Sequence, residues 1–158
     1  MSTEKKVRVL FVCLGNICRS PMAEAVFNHL VRDAGLEKHI EADSAGTGDW
    51  HVGQPAHHGT RSILQQNNIP YDGRCRQIAR NDLDEFDYIV TMDDENLSNV
   101  QLLGKGRARV APLLSYAPQA SVREVPDPYH SGGFEGVYQL VQMGAAGLLN
   151  TIRKEHGL

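Results

Sequence analysis

Apolar positions along this chain fall alternately into short continuous runs and into longer stretches of helical period. Val7, Val9, Leu10, Phe11 and Val12 make the first run. β-Branched and aromatic residues dominate it and turn residues follow at once, which predicts a buried strand. Ala23, Val26, Phe27, Leu30, Val31 and Ala34 then recur at helical spacing. Ser20 reads as the N-cap of that helix, Pro21 as its first helical residue and Gly35 as its C-cap. Ile40 to Ser44 alternates as a short strand. A second helix is expected from Pro55 to about Asn67, with Ile63 and Leu64 as core contacts, and a short one near Asn81 within an irregular stretch from 68 to 85. Phe86 to Met92 predicts the third strand, Leu97 and Val100 mark an amphipathic helix after it, and Arg109 to Leu114 predicts the last strand. Phe134, Val137, Tyr138, Val141, Ala145, Leu148, Leu149 and Ile152 keep a 3.6-residue period through one long closing helix.

Four strands interleaved with helices, without internal repeats, predict an α/β fold: a doubly wound four-stranded parallel sheet with helices on both faces. With 158 residues the chain is read as a single domain spanning 1–158. The apolar and charged fractions, 41% and 22%, are those of an ordinary soluble globular protein. A net charge of -3 argues against a general nucleic-acid binder while allowing a local anion pocket. The N-terminal residues resemble no signal peptide and no apolar run approaches membrane-spanning length, so neither nucleic acid nor membrane is expected as a partner, and the cytoplasm is the expected location. Three cysteines make no complete disulfide set and no C-x2-C pair suggests zinc.

The chemistry concentrates between the first strand and the first helix, in Cys13-Leu14-Gly15-Asn16-Ile17-Cys18-Arg19-Ser20. A short loop there can aim successive backbone N–H groups at one point beyond a helix N-terminus, forming a concave anion site. Gly15 and Asn16 tolerate the left-handed backbone such a nest requires. Cys13 would sit on its floor as a thiolate nucleophile, stabilised by those N–H groups, by the helix dipole and by Arg19, whose planar fork suits two phosphate oxygens. Ser20 could hydrogen-bond the sulfur as it leaves. A buried strand-end Cys and a loop-capping Arg are the plain alternative for either residue alone. Here the two stand with five residues between them, after a strand and before a helix.

That C-x5-R-S pattern, within the longer string VCLGNICRSPMAEAVF, closely resembles the low-molecular-weight protein tyrosine phosphatases. The resemblance covers essentially the whole chain and implies a metal-free, cofactor-free hydrolase that acts on phosphotyrosine proteins through a cysteinyl-phosphate. Phosphate, sulfate or vanadate would occupy the loop, with Leu14, Gly15, Asn16, Ile17, Cys18 and Ser20 binding the anion. It also implies that Trp50, shortly after Ser44-Ala45, walls the pocket entrance, and that Asn16, with Ser44, keeps the loop in shape. Cys18 would form a protective disulfide with Cys13. The protein would be a monomer or weak dimer. One departure is a His that animal members carry near Gly73, which would leave Asn16 less supported here.

Pro126 and Pro128 stiffen the backbone on either side of Asp127. D-P is also a common turn pair in which Asp bonds its own backbone. Expelling a phenolate from phosphorus needs a proton donor, and V-P-D-P-Y resembles the family's acid loop, which makes Asp127 the general acid and Tyr129 a second aromatic wall. Asp93-Asp94-Glu95 is read first as helix capping, with Asp93 a secondary support of the loop. His51, His57 and His58 fit no metal-ligand spacing and are read as solvated or capping residues. Two other enzymes of the same fold are weighed. Arginine phosphatases carry Thr where this chain has Ile17, and arsenate reductases relay a disulfide through two further cysteines, where only Cys75 remains. A phosphate-binding or redox-sensing module without catalysis would have no use for Asp127.

Overall fold

The computed structural model describes residues 6–158. Residues 1–5, part of the N-terminal stretch read as unlike a signal peptide, lie outside the described residues. In chain order the elements are β1 (Val7–Cys13), α1 (Arg19–Asp33), β2 (Ile40–Gly46), α2 (His58–Gln66), α3 (Asp82–Glu85), β3 (Tyr88–Thr91), α4 (Asp94–Gln101), β4 (Arg109–Pro112), a 3-10 turn (Leu113–Tyr116) and α5 (Phe134–His156). The strands form one parallel sheet in the order β2-β1-β3-β4. β1 pairs β2 from Val7↔Ile40 to Cys13↔Gly46, and pairs β3 from Val9↔Tyr88 to Val12↔Thr91.

β1 is central, so both of its faces must be covered, and its sequence is correspondingly apolar throughout. Val7, Val9, Phe11 and Cys13 face a core shared with α1, α2 and α5, where Phe11 meets Phe27 edge-on at 5.5 Å. Leu10 and Val12 point the other way, toward Leu83 of α3 and Val100 of α4. Strand alternation thus produces the doubly wound architecture expected from the sequence. Winding outward from β1 in both directions opens a crevice at the carboxyl ends of β1 and β3, where such sheets place their ligands. Among the described residues no helix is long and apolar enough to cross a membrane.

Several element boundaries differ from the sequence reading. α1 begins at Arg19, with Cys18 at the N-cap and no side-chain capping bond, so Ser20 lies inside the helix and not at its cap. Its hydroxyl is committed to the loop instead. α2 starts three residues later than expected, capped by His57, because Pro55 is held extended in an antiparallel bridge with Arg74. The last two strands are shorter than their apolar runs: Phe86 closes α3, and Leu113 and Leu114 turn into the 3-10 segment after Pro112. Gly35, at φ 71, follows the Ala34 C-cap in the left-handed conformation that ends helices.

α5 seats itself against the 3-10 turn through two glycines. A Cβ at Gly144 would fall 2.3 Å from Leu113 Cγ, and one at Gly147 only 1.8 Å from the Tyr116 carbonyl oxygen. Backbone cannot yield there as a side chain could. Gly147→Ala is therefore expected to push α5 off the turn and to lower stability by about 2–3 kcal/mol, read from urea unfolding midpoints at constant m-value.

Candidate active site

The loop joining β1 to α1 is shaped by what holds its carbonyl groups. Cys13 O accepts from Thr47 N–H at 2.9 Å, Leu14 O from Gly48 N–H at 2.8 Å and Ile17 O from His57 N–H at 2.8 Å. Asn16 O accepts from the Cys75 thiol at 2.8 Å, and Cys18 O from the Thr60 hydroxyl at 2.9 Å. In a planar trans peptide the N–H points opposite its carbonyl. Five carbonyls anchored outward therefore turn the N–H groups of Leu14, Gly15, Ile17, Cys18 and Arg19 toward the concave side, a nest at the N-terminus of α1. The bend costs one left-handed residue, Asn16 at φ 56. Gly15 does not share that conformation. Its lack of a side chain serves space instead, since a Cβ would approach His51 Cδ2 to 3.0 Å.

Gly46 was not anticipated. A Cβ there would lie 2.8–2.9 Å from backbone atoms of Leu14, Gly15 and Asn16, so only glycine lets the end of β2 support the back of the loop.

The polarity of the network behind the loop follows from a single donor. Arg76 N–H, which can only donate, meets Asn16 Oδ1 at 2.8 Å, and this fixes the orientation of the amide. Asn16 Nδ2 then donates both hydrogens, to Ser20 Oγ at 2.8 Å and to Ser44 Oγ at 2.9 Å. With one lone pair taken, the Ser20 hydroxyl lies 3.1 Å from Cys13 Sγ and 3.4 Å from the Ala45 carbonyl, in reach of the sulfur as a hydrogen-bond donor. Ser20 N–H also faces that sulfur at 3.5 Å. Ser44 donates onward to Glu24 Oε1 at 2.6 Å, which also accepts from Tyr71 O–H at 3.0 Å. The support that the missing His near Gly73 seemed to remove is thus supplied by Arg76, Ser44, Glu24 and Tyr71. Burial raises the Glu24 carboxyl to about 7, partly offset by the Ser44 hydrogen bond.

Arg19 is almost fully buried. Its Nη1 donates to Asp93 Oδ2 at 2.7 Å and to the Val125 carbonyl at 2.9 Å, and Nη2 lies 3.6 Å from Asp127 Oδ2. Asp93 does both things weighed for it: it forms a capping box with Asn96 at the start of α4 and steadies the guanidinium. Asp127 likewise keeps its turn bond, accepting Tyr129 N–H at 3.0 Å, while its other oxygen faces Arg19. Cys13, Leu14, Gly15, Ile17, Cys18 and Arg19 form one end of a cavity of about 250 Å³, and Trp50, His51, Asp127, Tyr129 and His130 its other walls. Trp50 is 66% exposed and Tyr129 40%, leaving apolar ring faces open beside the thiol.

Each residue expected from the sequence to react or to bind the substrate thus lies in this cavity or, for Asn16 and Ser20, directly behind its floor. His51, read as a solvated or capping residue, and His130 also line it, and nothing in their spacing links residues about 80 positions apart. His57 caps α2 as expected, its Nδ1 accepting Gly59 N–H at 3.0 Å. All three thiols are free and buried. Burial, and next the neighbouring Cys13, pushes the Cys18 thiol up to about 12, so it is a neutral thiol beside Cys13. Among the described residues no three His, Cys, Asp or Glu side chains gather as a metal site.

The family model for low molecular weight phosphotyrosine protein phosphatase matches residues 8–157. Low molecular weight protein-tyrosine-phosphatase YfkJ of Bacillus subtilis is 49% identical over 155 residues, covering 96% of this chain and 99% of that protein. The corresponding PtpA of Staphylococcus saprophyticus is 40% identical, over 96% and 97%. The crystal structure of YfkJ superposes with a TM-score of 0.94 over 98% of this chain and 99% of that one. That of a Drosophila arginine phosphatase gives 0.87 at 32% identity, covering 92% and 97%.

Glu24 links the loop's scaffold to pH. Its folded value of about 7 lies above the ordinary 4.5. The stability tied to the protonated form is complete below pH 4.5 and is lost as pH rises through 7. Gln reproduces the protonated acid and keeps an oxygen for Ser44 and Tyr71. Glu24→Gln is expected to stabilise the protein by roughly 2–3 kcal/mol at pH 8 and by little at pH 5, measured as unfolding free energies across that range.

Proposed function

The chain belongs to the low-molecular-weight phosphotyrosine protein phosphatases and is a protein tyrosine phosphatase; we propose that Cys13, Arg19 and Asp127 carry its reaction. The observation that supports this assignment is the convergence of nucleophile, guanidinium and carboxyl on one cavity whose floor is a nest of N–H groups. The Cys13 thiolate attacks phosphorus in line with the aryl oxygen. The P–O bond breaks and Asp127 gives its proton to the departing phenolate. Loop N–H groups and the Arg19 fork hold the equatorial oxygens, where transition-state charge resides. Asp127, now ionised, takes a proton from water as it attacks the cysteinyl-phosphate, and sulfur leaves as a thiolate stabilised by the Ser20 hydroxyl. Trp50 and Tyr129 flank the substrate ring. The loop itself supplies the positive potential the phosphate needs.

The natural substrate class is a phosphotyrosine-bearing protein, since the cavity walls beyond the loop are largely ring faces. Ile17 lines the cavity with hydrocarbon, which suits an aryl phosphate better than a polar guanidinium phosphate, and this favours the tyrosine reading over the arginine one. Three free thiols suit a reducing compartment such as the cytoplasm. When peroxide converts the Cys13 thiolate to a sulfenic acid, the neighbouring Cys18 thiol condenses with it, releasing water and forming a disulfide that thiol reductants reverse.

Wild-type protein is expected to hydrolyse p-nitrophenyl phosphate in excess EDTA with a thiol reductant present, and Cys13→Ser to turn over none while keeping its fold by circular dichroism. Loss of activity in EDTA, or activity in Cys13→Ser, would sink the assignment. Asp127→Ala should lower kcat about 10²–10³-fold with phenyl phosphate, and less with p-nitrophenyl phosphate, whose leaving group needs less help.

A further inference from the structure

The segment that carries Asp127 is weakly tied to the rest of the protein. Among the described residues, no backbone hydrogen bond joins residues 126–132 to another element; the one formed, Gly132 N–H to Pro128 O, is internal. The last firm anchor is Val125, whose N–H bonds Met92 O and whose carbonyl receives Arg19. Beyond it, the segment rests on the ion pair of exposed Asp127 with buried Arg19, on buried Pro128 and on the ring of Tyr129. That ring sits among imidazoles: His57 edge-on at 5.6 Å, His51 tilted at 5.7 Å and its own neighbour His130 at 4.8 Å.

Of these three, His57 is the one held on every side. Its N–H bonds the Ile17 carbonyl of the phosphate-binding loop. Its Nδ1 accepts Gly59 N–H as the cap of α2, which places the ring hydrogen on Nε2. One ring contact is with Phe134 at the start of α5, stacked at 5.1 Å, and another is with His58 at 4.5 Å. Burial first, then His58, Arg61 and His51, keeps this imidazole less basic than usual. A neutral ring, fixed to the phosphate-binding loop by its backbone, thus meets the side chain of Tyr129, the residue whose backbone N–H binds Asp127.

We propose that His57 is a positioning residue of the phosphatase reaction, its ring seating Tyr129 and thereby aiming Asp127 at the leaving oxygen. The proposal rests on Asp127 being the general acid. Of the two steps that use Asp127 only the first expels the leaving group, so the loss in kcat/KM, which reports that step, should scale with the leaving group's need for a proton.

His57→Asn retains both the backbone N–H to Ile17 and a good N-cap oxygen while removing the ring. It is expected to lower kcat/KM about tenfold with phenyl phosphate and no more than about twofold with p-nitrophenyl phosphate, with vanadate inhibition unchanged. His57→Phe, which keeps a ring and loses the cap, should retain the wild-type ratio between the two substrates. In an Asp127→Ala background His57→Asn should add nothing. A wild-type ratio in His57→Asn overturns the proposal, as does an equal loss on both substrates accompanied by weakened vanadate binding, which is the mark of a general support of the fold. If Asp127→Ala itself shows no leaving-group dependence, the general-acid premise fails, a result distinguishable from failure of His57 alone.

Discussion

The site depends on which way one loop's peptides face. Anchoring the carbonyls of Cys13, Leu14, Asn16, Ile17 and Cys18 outward is what makes the opposite face a surface of N–H groups. The anchors come from three separate stretches: the segment after β2, the cap of α2 with Thr60, and Cys75. Each belongs to a part of the chain with no chemistry of its own. Their contribution is geometric, since a loop free to flip any of these peptides would present an oxygen to an anion and lose the pocket.

Behind that surface, a second constraint sets the direction of the hydrogen bonds. The Arg76 N–H fixes the Asn16 amide, the amide fixes two serines, and one of those serines faces the Cys13 sulfur. The other ends on Glu24, a carboxyl kept near neutrality by burial. Buried networks of this kind specify one arrangement because every alternative leaves a donor or acceptor unmatched. Stability and reactivity meet here: the same bonds that hold β2, α1 and the loop together decide which group faces the thiol.

The acid side of the site is built differently. Its segment is joined to the sheet at Val125 and to α5 at Gly133, and between these it relies on ring contacts and one ion pair to buried Arg19. Such a segment can give way to a substrate ring, whereas the phosphate-binding loop cannot yield without unbonding several buried carbonyls. The rigid half suits charge stabilisation and the looser half suits admission of a protein-borne phosphotyrosine.

Much of this was legible in the residues. The apolar run of β1 and the long period of α5 depend on local pattern alone, so both elements were readable directly. The spacing of Cys13 and Arg19 puts nucleophile and guanidinium at the two ends of one loop, a short-range relation that sequence states outright. Asp127 between two prolines was legible once that loop demanded a proton donor. Other features required the fold. Ser20 looks like a helix cap because its type favours caps, and only the loop's proximity to Cys13 and Asn16 shows where its hydroxyl goes. Gly46, Arg76 and Cys75 touch the loop across 30 to 60 residues of chain, distances at which residue type carries no signal. His57 reads as a cap from its position, while its contact with Tyr129, far along the chain, exists only because α2 and the start of α5 pack side by side. Sequence determined which groups are candidates to react, because that chemistry lies in residue identity and short spacing; tertiary structure decided how they are held, because the holding is done by groups that meet only when the sheet has wound in both directions from β1.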